Sequence, residues 1–230
     1  VRAATLAKLE RERDQWNQRH PVGTPVEYWP GKRGEGKPAR SEIMFRAQVM
    51  SDHVSTWLLG AAGSIPVSQI QSLARLKCKT VYQPFASGFA AGLKCIETNK
   101  HPGERYGLRH GDLLAIHAAQ KPLTEEAWNI ADQTGLSTAW ICEDGGCIPP
   151  LGAAVCIVRY LESRTTDDLL YSPHRPLPQS EILLGDYGPD RHGWRTELVH
   201  AFAEPIPAKG QQGIFYWDVP AECRWWEVQR

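Results

Sequence analysis

A chain of 230 residues with 42% hydrophobic and 23% charged residues can bury one good core or two modest ones. Its formal net charge is zero, which argues against a protein that lives on the phosphate backbone of long duplexes. It has no run of about 18 uncharged apolar residues of the kind that spans a bilayer, its opening residues do not read as a signal peptide, and its cysteines lack dense disulfide spacing; a cytoplasmic chain with reduced thiols and no membrane contact is expected.

Residues 5 to 19 read as a helix, because Leu6, Leu9 and Trp16 recur at near-helical spacing among alternating charges. His20-Pro21-Val22-Gly23 stops it. Short strands follow around Val26 to Trp29, Arg40 to Gln48, His53 to Leu59 and Ser64 to Val67, separated by Gly- and Pro-rich turns. Together they predict a small SH3-like β module preceded by a helix, over residues 1–75. A second domain, 76–230, opens near Leu76. In it Pro84 suits a first helical turn, and Gly92 suits the left-handed cap that ends this short helix. A strand carrying Lys94 and Glu97 follows, then a basic loop, then a strand ending at His117. On a regular strand Lys94 and Ile96 share one face, and Cys95, Glu97 and Asn99 the other, unless a bulge beside Gly92 re-aims Lys94.

Thr124-Glu125-Glu126 caps a helix that ends near Gly135. A loop from Glu143 to Pro150 leads to a strand from Ala153 to Tyr160. Residues 163 to 192, rich in Pro, Asp and Gly, read as a long irregular excursion of the kind that is either functional or disordered. Strands from Trp194 to Phe202 and from Gly213 to Val219 close the chain before an Arg224-Trp225-Trp226 tail expected to pack. Charge is unevenly spread: residues 76 to 121 carry seven Lys or Arg against three acids, and residues 122 to 190 carry three against eleven. The first block is the basic one.

Several ordered motifs in this second domain resemble the ASCH family, β-barrel domains related to the PUA group of RNA-binding modules. They are Gln83-Pro84-Phe85-Ala86-Ser87, then Gly92-Leu93-Lys94-Cys95-Ile96-Glu97-Thr98-Asn99, then Ile116-His117-Ala118. Gly152-Ala153-Ala154-Val155, Tyr187-Gly188-Pro189, Trp194 and Glu204-Pro205-Ile206-Pro207-Ala208-Lys209-Gly210-Gln211-Gln212-Gly213 continue the pattern. Asn99 stands where the family has Arg, which removes a planar anion clamp. The resemblance implies an α+β, mainly β chain with a PUA-like barrel and flanking helices. The string from Trp16 to Trp29 resembles small β domains of phage and prophage proteins, so a bacterial host or phage source is expected.

Lys94 and Glu97 are the sharpest pair, since an ammonium and a carboxylate beside one cleft shift each other's protonation. A surface ion pair is the alternative. Some small ASCH proteins are amidohydrolases on acylated cytidine, with a Lys-activated Thr where this chain has Glu97, so the covalent nucleophile of that mechanism is missing. His117 reads either as a base or phosphate ligand, or as a hydrogen-bonded core residue. Arg105 and Tyr106, with Arg109 and His110, form a basic, partly aromatic loop that suits a phosphate and a stacked base, or simply solvent. Core packing accounts for most of the nine tryptophans, Trp194 being the one at a family position. Cys142, Cys147 and Cys156 lack the His or second Cys pair of a metal site, and Gly145-Gly146 lacks the order of a phosphate loop. No metal or cofactor is expected.

These readings converge on a cleft lined by Gln83, Phe85, Ser87, Arg105, Tyr106, His117 and Trp194 that binds RNA, a nucleotide or a modified nucleoside. The alternative is a small hydrolase or nuclease with Lys94 and Glu97 as the catalytic pair. A third reading makes the β modules contact surfaces for a protein partner, through the N-terminal one above all.

Overall fold

The computed structural model of the chain describes residues 3–143, 146–171 and 176–220. It is α+β and mainly sheet. Two compact units emerge, one from the residues up to Arg75 with a return of the chain from Asp218, the other from Leu76–Trp217. Among the described residues no helix is long and apolar enough to cross a membrane.

In the first unit helix α1 (Ala3–Arg19) precedes six short strands: β1 (Pro25–Tyr28), β2 (Ala39–Glu42), β3 (Gln48–Met50), β4 (His53–Trp57), β5 (Ser64–Pro66) and β6 (Ile70–Ser72). They form two three-stranded sheets, ordered β2-β1-β6 and β3-β4-β5. The 40–48 stretch expected as one strand is broken between β2 and β3, and β6 is an addition to the expected set. Leu9 of α1 packs with Ala47, Val54 and Val67, while Val26, Ile43, Leu58, Ile65 and Ile70 form a neighbouring cluster; Trp16 touches both. Of the stripe read from the sequence, the helix thus packs Leu9 and Trp16, while Leu6 is exposed.

The second unit holds β7 (Arg75–Val81), α2 (Phe85–Ala90), β8 (Ile96–Asn99), β9 (Leu113–Ala118), α3 (Glu125–Gln133), β10 (Ile141–Glu143), β11 (Gly146–Ile148), β12 (Ala153–Thr165), α4 (Thr166–Leu170), α5 (Gln179–Leu183), β13 (His192–Pro207) and β14 (Ile214–Asp218). Six strands make one sheet in the order β14-β7-β9-β12-β13-β8. β7 and β9 run parallel, and β12 pairs antiparallel with both β9 and β13. The core lies between this sheet and α2, with Phe89, Leu108, Leu114, Ile116, Val158, Tyr160 and Trp194 buried together. α3 begins as its sequence dictates, the Thr124 hydroxyl accepting from the Ala127 amide at 3.3 Å.

The expected barrel does not close. Among the described residues no ladder joins β14 to β8, the two edges. The free edge of β8 is instead occupied by the segment from α5 to Arg191: the Cys95 amide donates to Glu181, the Asp186 amide to the Thr98 hydroxyl, and the Arg191 guanidinium to the Thr98 carbonyl. An edge covered in this way has fewer free groups to offer another strand. That segment belongs to the 163–192 stretch expected to be irregular, which carries α4 and α5, and β12 runs on to Thr165. The loop expected after Glu143 is a hairpin of β10 and β11, in which Cys142 and Cys147 stand opposite in register. Their side chains lie outside the described residues, as does the 224–226 tail. Every described tryptophan is buried or half-buried.

Gly193 sits where β13 meets α4 and β8. A Cβ there would lie 2.3 Å from Leu169 Cδ1 and 2.7 Å from Ile96 Cγ2, both in the core. Gly193→Ala should therefore cost about 1–3 kcal/mol by overpacking, read as a lower denaturation midpoint in guanidinium; an unchanged midpoint would contradict this packing.

Candidate functional site

Lys94 does not stand on a strand. Gly92, at φ +70°, ends α2 in the left-handed conformation, and the Leu93 and Lys94 amides both donate to the Gly88 carbonyl at 3.0 Å. The side chain turns inward, 3% exposed, beside Ile96, while Cys95 faces out. Its amine donates to the Ile96 carbonyl and, at 2.5 Å, to the Leu184 carbonyl, and lies 3.9 Å from Glu181 Oε1. Burial lowers the pKa of this ammonium below the ordinary lysine value, against the upward pull of Glu97 and Glu181. Glu181 in turn accepts from the Cys95 amide at 2.5 Å and from the Tyr187 hydroxyl at 3.0 Å. Burial, followed by the Glu181 charge, raises the Tyr187 phenol and pushes the Cys95 thiol up to about 11. Glu97 is half-buried on β8, opposite Trp194 of β13, with Asn99 Nδ2 at 3.5 Å from its Oε1. The arrangement is a clasp that fastens the α5 segment to the start of β8.

Gln83 and Ser87 are also occupied with the fold. The Gln83 amide nitrogen donates to the Pro150 carbonyl at 2.8 Å, and its oxygen accepts from the Ser87 amide at 3.0 Å, holding the first turn of α2. Trp140 Nε1 donates to the Ser87 hydroxyl at 3.2 Å. Phe85 is half-buried against the clusters on both sides of α2. Arg105 is exposed, 3.4 Å from His101 Nδ1. Tyr106 lies over Trp194, ring centroids 5.4 Å apart, and Trp194 itself is buried and donates from Nε1 to the His101 carbonyl. The amine of Lys79 sits 5.7 Å from the centre of the Trp194 ring.

Three cavities open on this unit. The largest, about 910 Å³, is walled by Glu104, Glu162, Asp167 and Asp168 against Arg164 and His192, so its field opposes an anion. The second, about 580 Å³, is lined by Lys121 and Lys209, and by Lys79, whose amine turns to the Trp194 ring, with no acid among the described residues of its wall. The third, about 240 Å³, lies between Tyr82, Phe85 and α3. Lys94, Glu97, Arg105, Tyr106 and Trp194 line none of the three.

His117 belongs to the second cavity. The parallel β7–β9 pairing sets it directly beside Thr80. His117 is 2% exposed, and its Nε2 faces the Ala208 carbonyl at 3.0 Å; a carbonyl only accepts, so Nε2 carries the proton. Nδ1 and the Thr80 hydroxyl are buried with no hydrogen-bond partner among the described residues. Gly210 roofs both. A Cβ on it would fall 2.5 Å from His117 Cε1, 2.8 Å from Nδ1 and 2.9 Å from Thr80 Oγ1, so only glycine permits this approach. At the mouth Lys121 and Lys209 are exposed, and the Lys121 amine lies 5.3 Å from the centre of the Tyr82 ring.

Of the residues singled out from sequence, the structure brings His117 alone to the lysine-rimmed cavity, and Phe85 with Gln83 to the third. Thr80, Tyr82, Lys121 and Gly210 went unnoticed as site residues. The Lys209–Gly213 run, a Gly- and Gln-rich loop opening on a lysine late in the chain, was the available signal. Among the described residues no group of three or more His, Cys, Asp or Glu is placed to hold a metal ion. Cys78, Cys95 and Cys156 are free thiols with raised pKa values, through burial in Cys78 and Cys156 and, in the outward-facing Cys95, through partial burial of the sulfur followed by the Glu181 charge, and so poor nucleophiles. No family model matches the chain, and no curated protein matches it.

The clasp is directly testable. Lys94→Met strands the Glu181 carboxylate in a buried site and should cost about 3–5 kcal/mol, and adding Glu181→Gln should return part of that loss. Denaturant titrations of both variants give the answer; a fully stable Lys94→Met protein would show that the amine does not hold α5.

Proposed function

We propose that the Leu76–Trp217 unit is a PUA-like domain of the ASCH type that binds single-stranded RNA, a nucleotide or a modified nucleoside phosphate in the cleft above His117 and Thr80. One observation carries this reading: two buried polar atoms without partners among the described residues sit together beneath Gly210, in a cavity whose described charged lining is entirely lysine. An unsatisfied buried polar group costs about 1–3 kcal/mol, and a native structure that keeps two side by side has reason to. A hydroxyl both donates and accepts, and Nδ1 accepts when the imidazole is neutral and donates when it is charged. Phosphate oxygens and ribose hydroxyls satisfy such a pair, once the Lys209–Gly213 loop lifts to admit them. The lysines then supply the attraction.

Hydrolysis through Lys94 and Glu97 has less behind it. The Lys94 amine is committed to two carbonyls and a buried carboxylate, and none of the described free thiols is activated. In the first unit we read the paired sheets as an SH3-like module for protein contacts. Its exposed Met44, Phe45 and Leu59 are the residues that support this, with Phe45 edge-on to Trp57.

Two lysines at the mouth, Lys121 and Lys209, set the scale of binding, because the Lys79 amine is turned to the Trp194 ring on the core side. With about 0.7 counterion released per phosphate on a single strand, log K against log salt should fall with a slope of about −1.4. Lys121→Ala and Lys209→Ala should each flatten it by a little under one. Fluorescence anisotropy with a labelled hexauridylate at four salt concentrations measures this. A slope of −4 or steeper, or slopes untouched by both substitutions, would place the binding surface elsewhere.

A further inference from the structure

The 580 Å³ and 240 Å³ cavities share two residues, Tyr82 and Lys121. Their chemistry differs. The first is cationic and polar at its floor; the second has an apolar wall of Phe85, Leu123 and Ile130, with Pro122 and the start of α3 completing it. Phe85, Leu123 and Ile130 are each half-buried and packed on the Trp140 cluster, so this wall is fixed rather than soft. Tyr82 is 58% exposed although it follows the buried Val81, and the cation beside its ring, Lys121, is the one that reaches both cavities. An exposed aromatic ring with a cation over it, on the ridge between an anion-binding hollow and an apolar hollow, matches the repeat of a nucleic-acid strand: phosphate, then base.

We propose that the two cavities form one groove that takes two successive nucleotides, the phosphate between them held by Lys121, the first nucleotide on the His117 side and the base of the second against Tyr82 in the smaller cavity. This rests on the nucleotide-binding reading of the His117 cleft and extends it: the ligand is a strand of at least two residues rather than a free mononucleotide. Sharing Lys121 joins the two subsites, because only a dinucleotide has a linking phosphate that engages this cation while its two nucleosides occupy both cavities. Stacking on Tyr82 and burial against Ile130 add affinity that a mononucleotide does not collect.

Isothermal titration of the full chain with adenosine 5′-monophosphate and with the 5′-phosphorylated dinucleotide pApA, at one salt concentration, separates the possibilities. The dinucleotide should bind at least about tenfold more tightly. Ala127→Trp, which fills the smaller cavity from α3, should bring pApA down to the mononucleotide level and leave adenosine 5′-monophosphate unaffected; Glu126→Trp, at an exposed position on the same rim, serves if Ala127→Trp melts early. Equal affinity of the two probes for wild type overturns the extended groove while leaving the His117 cleft standing. Binding of neither probe overturns the cleft itself and this extension with it. An advantage for pApA that survives both substitutions puts the second base outside the smaller cavity, and also overturns the proposal.

Discussion

The parallel pairing of β7 with β9 is the constraint on which the site depends. It is the one described parallel ladder, beside the antiparallel pairings of β9–β12, β12–β13 and β13–β8, and its register aligns Thr80 with His117 and Val81 with Ala118. Alternation then sends Val81 and Ala118 to the α2 side, into the main core, and Thr80 and His117 to the other. A slip of one residue would bury the polar pair in that core and turn the core residues out. The antiparallel β12–β13 pair, with its register shifts after Ala154, Ile157 and Tyr160, brings the end of β13 and the Ala208–Gly213 loop over His117. A strand pairing made deep in the sheet thus places two polar atoms under a glycine.

The molecule treats its two lysine neighbourhoods in opposite ways. Around Lys94 it satisfies everything, with carbonyls for the ammonium and an amide and a phenol for Glu181, and the outcome is a sealed fastening. Around His117 it leaves two groups unmet and surrounds them with cations that have no acid among the described residues of the wall. Complete satisfaction is what a structural contact requires; its absence beside an accessible cavity is what a binding site can exploit. Charge sign decides between the two larger cavities where volume does not. The acidic hollow is the bigger, yet Glu162 there is already paired with Arg164 and Arg195, and Glu104 accepts from Tyr160.

Much of the fold was legible because local chemistry and global role agree. The Gly92 cap, the Thr124 cap and the apolar run before His117 each have one physical reading, and each falls where that reading puts it. The stretch from 163 to 192 was not legible: its helices are five residues each, too short for a 3.6-residue period to emerge, and tertiary contacts hold them, α5 through Lys94, Cys95 and Thr98, and α4 through Thr166 to the Gly188 and Arg191 carbonyls. Site residues were harder still. Lys94 and Glu97 attracted attention because charge on a strand is conspicuous, but a single inward turn after Gly92 hides the lysine. Thr80 and Gly210 carry no motif of their own, and 130 positions of chain separate them; only the folded sheet makes them neighbours.

The most direct test of the central claim is a backbone and imidazole chemical-shift map recorded while a short single-stranded RNA is titrated in. The account predicts shifts centred on Thr80, Tyr82, His117, Lys121 and the Lys209–Gly213 loop, with the His117 Nδ1 resonance moving as it gains a partner. Shifts confined to the Lys94–Asn99 strand and the Arg105–Tyr106 loop, with His117 silent, would contradict it.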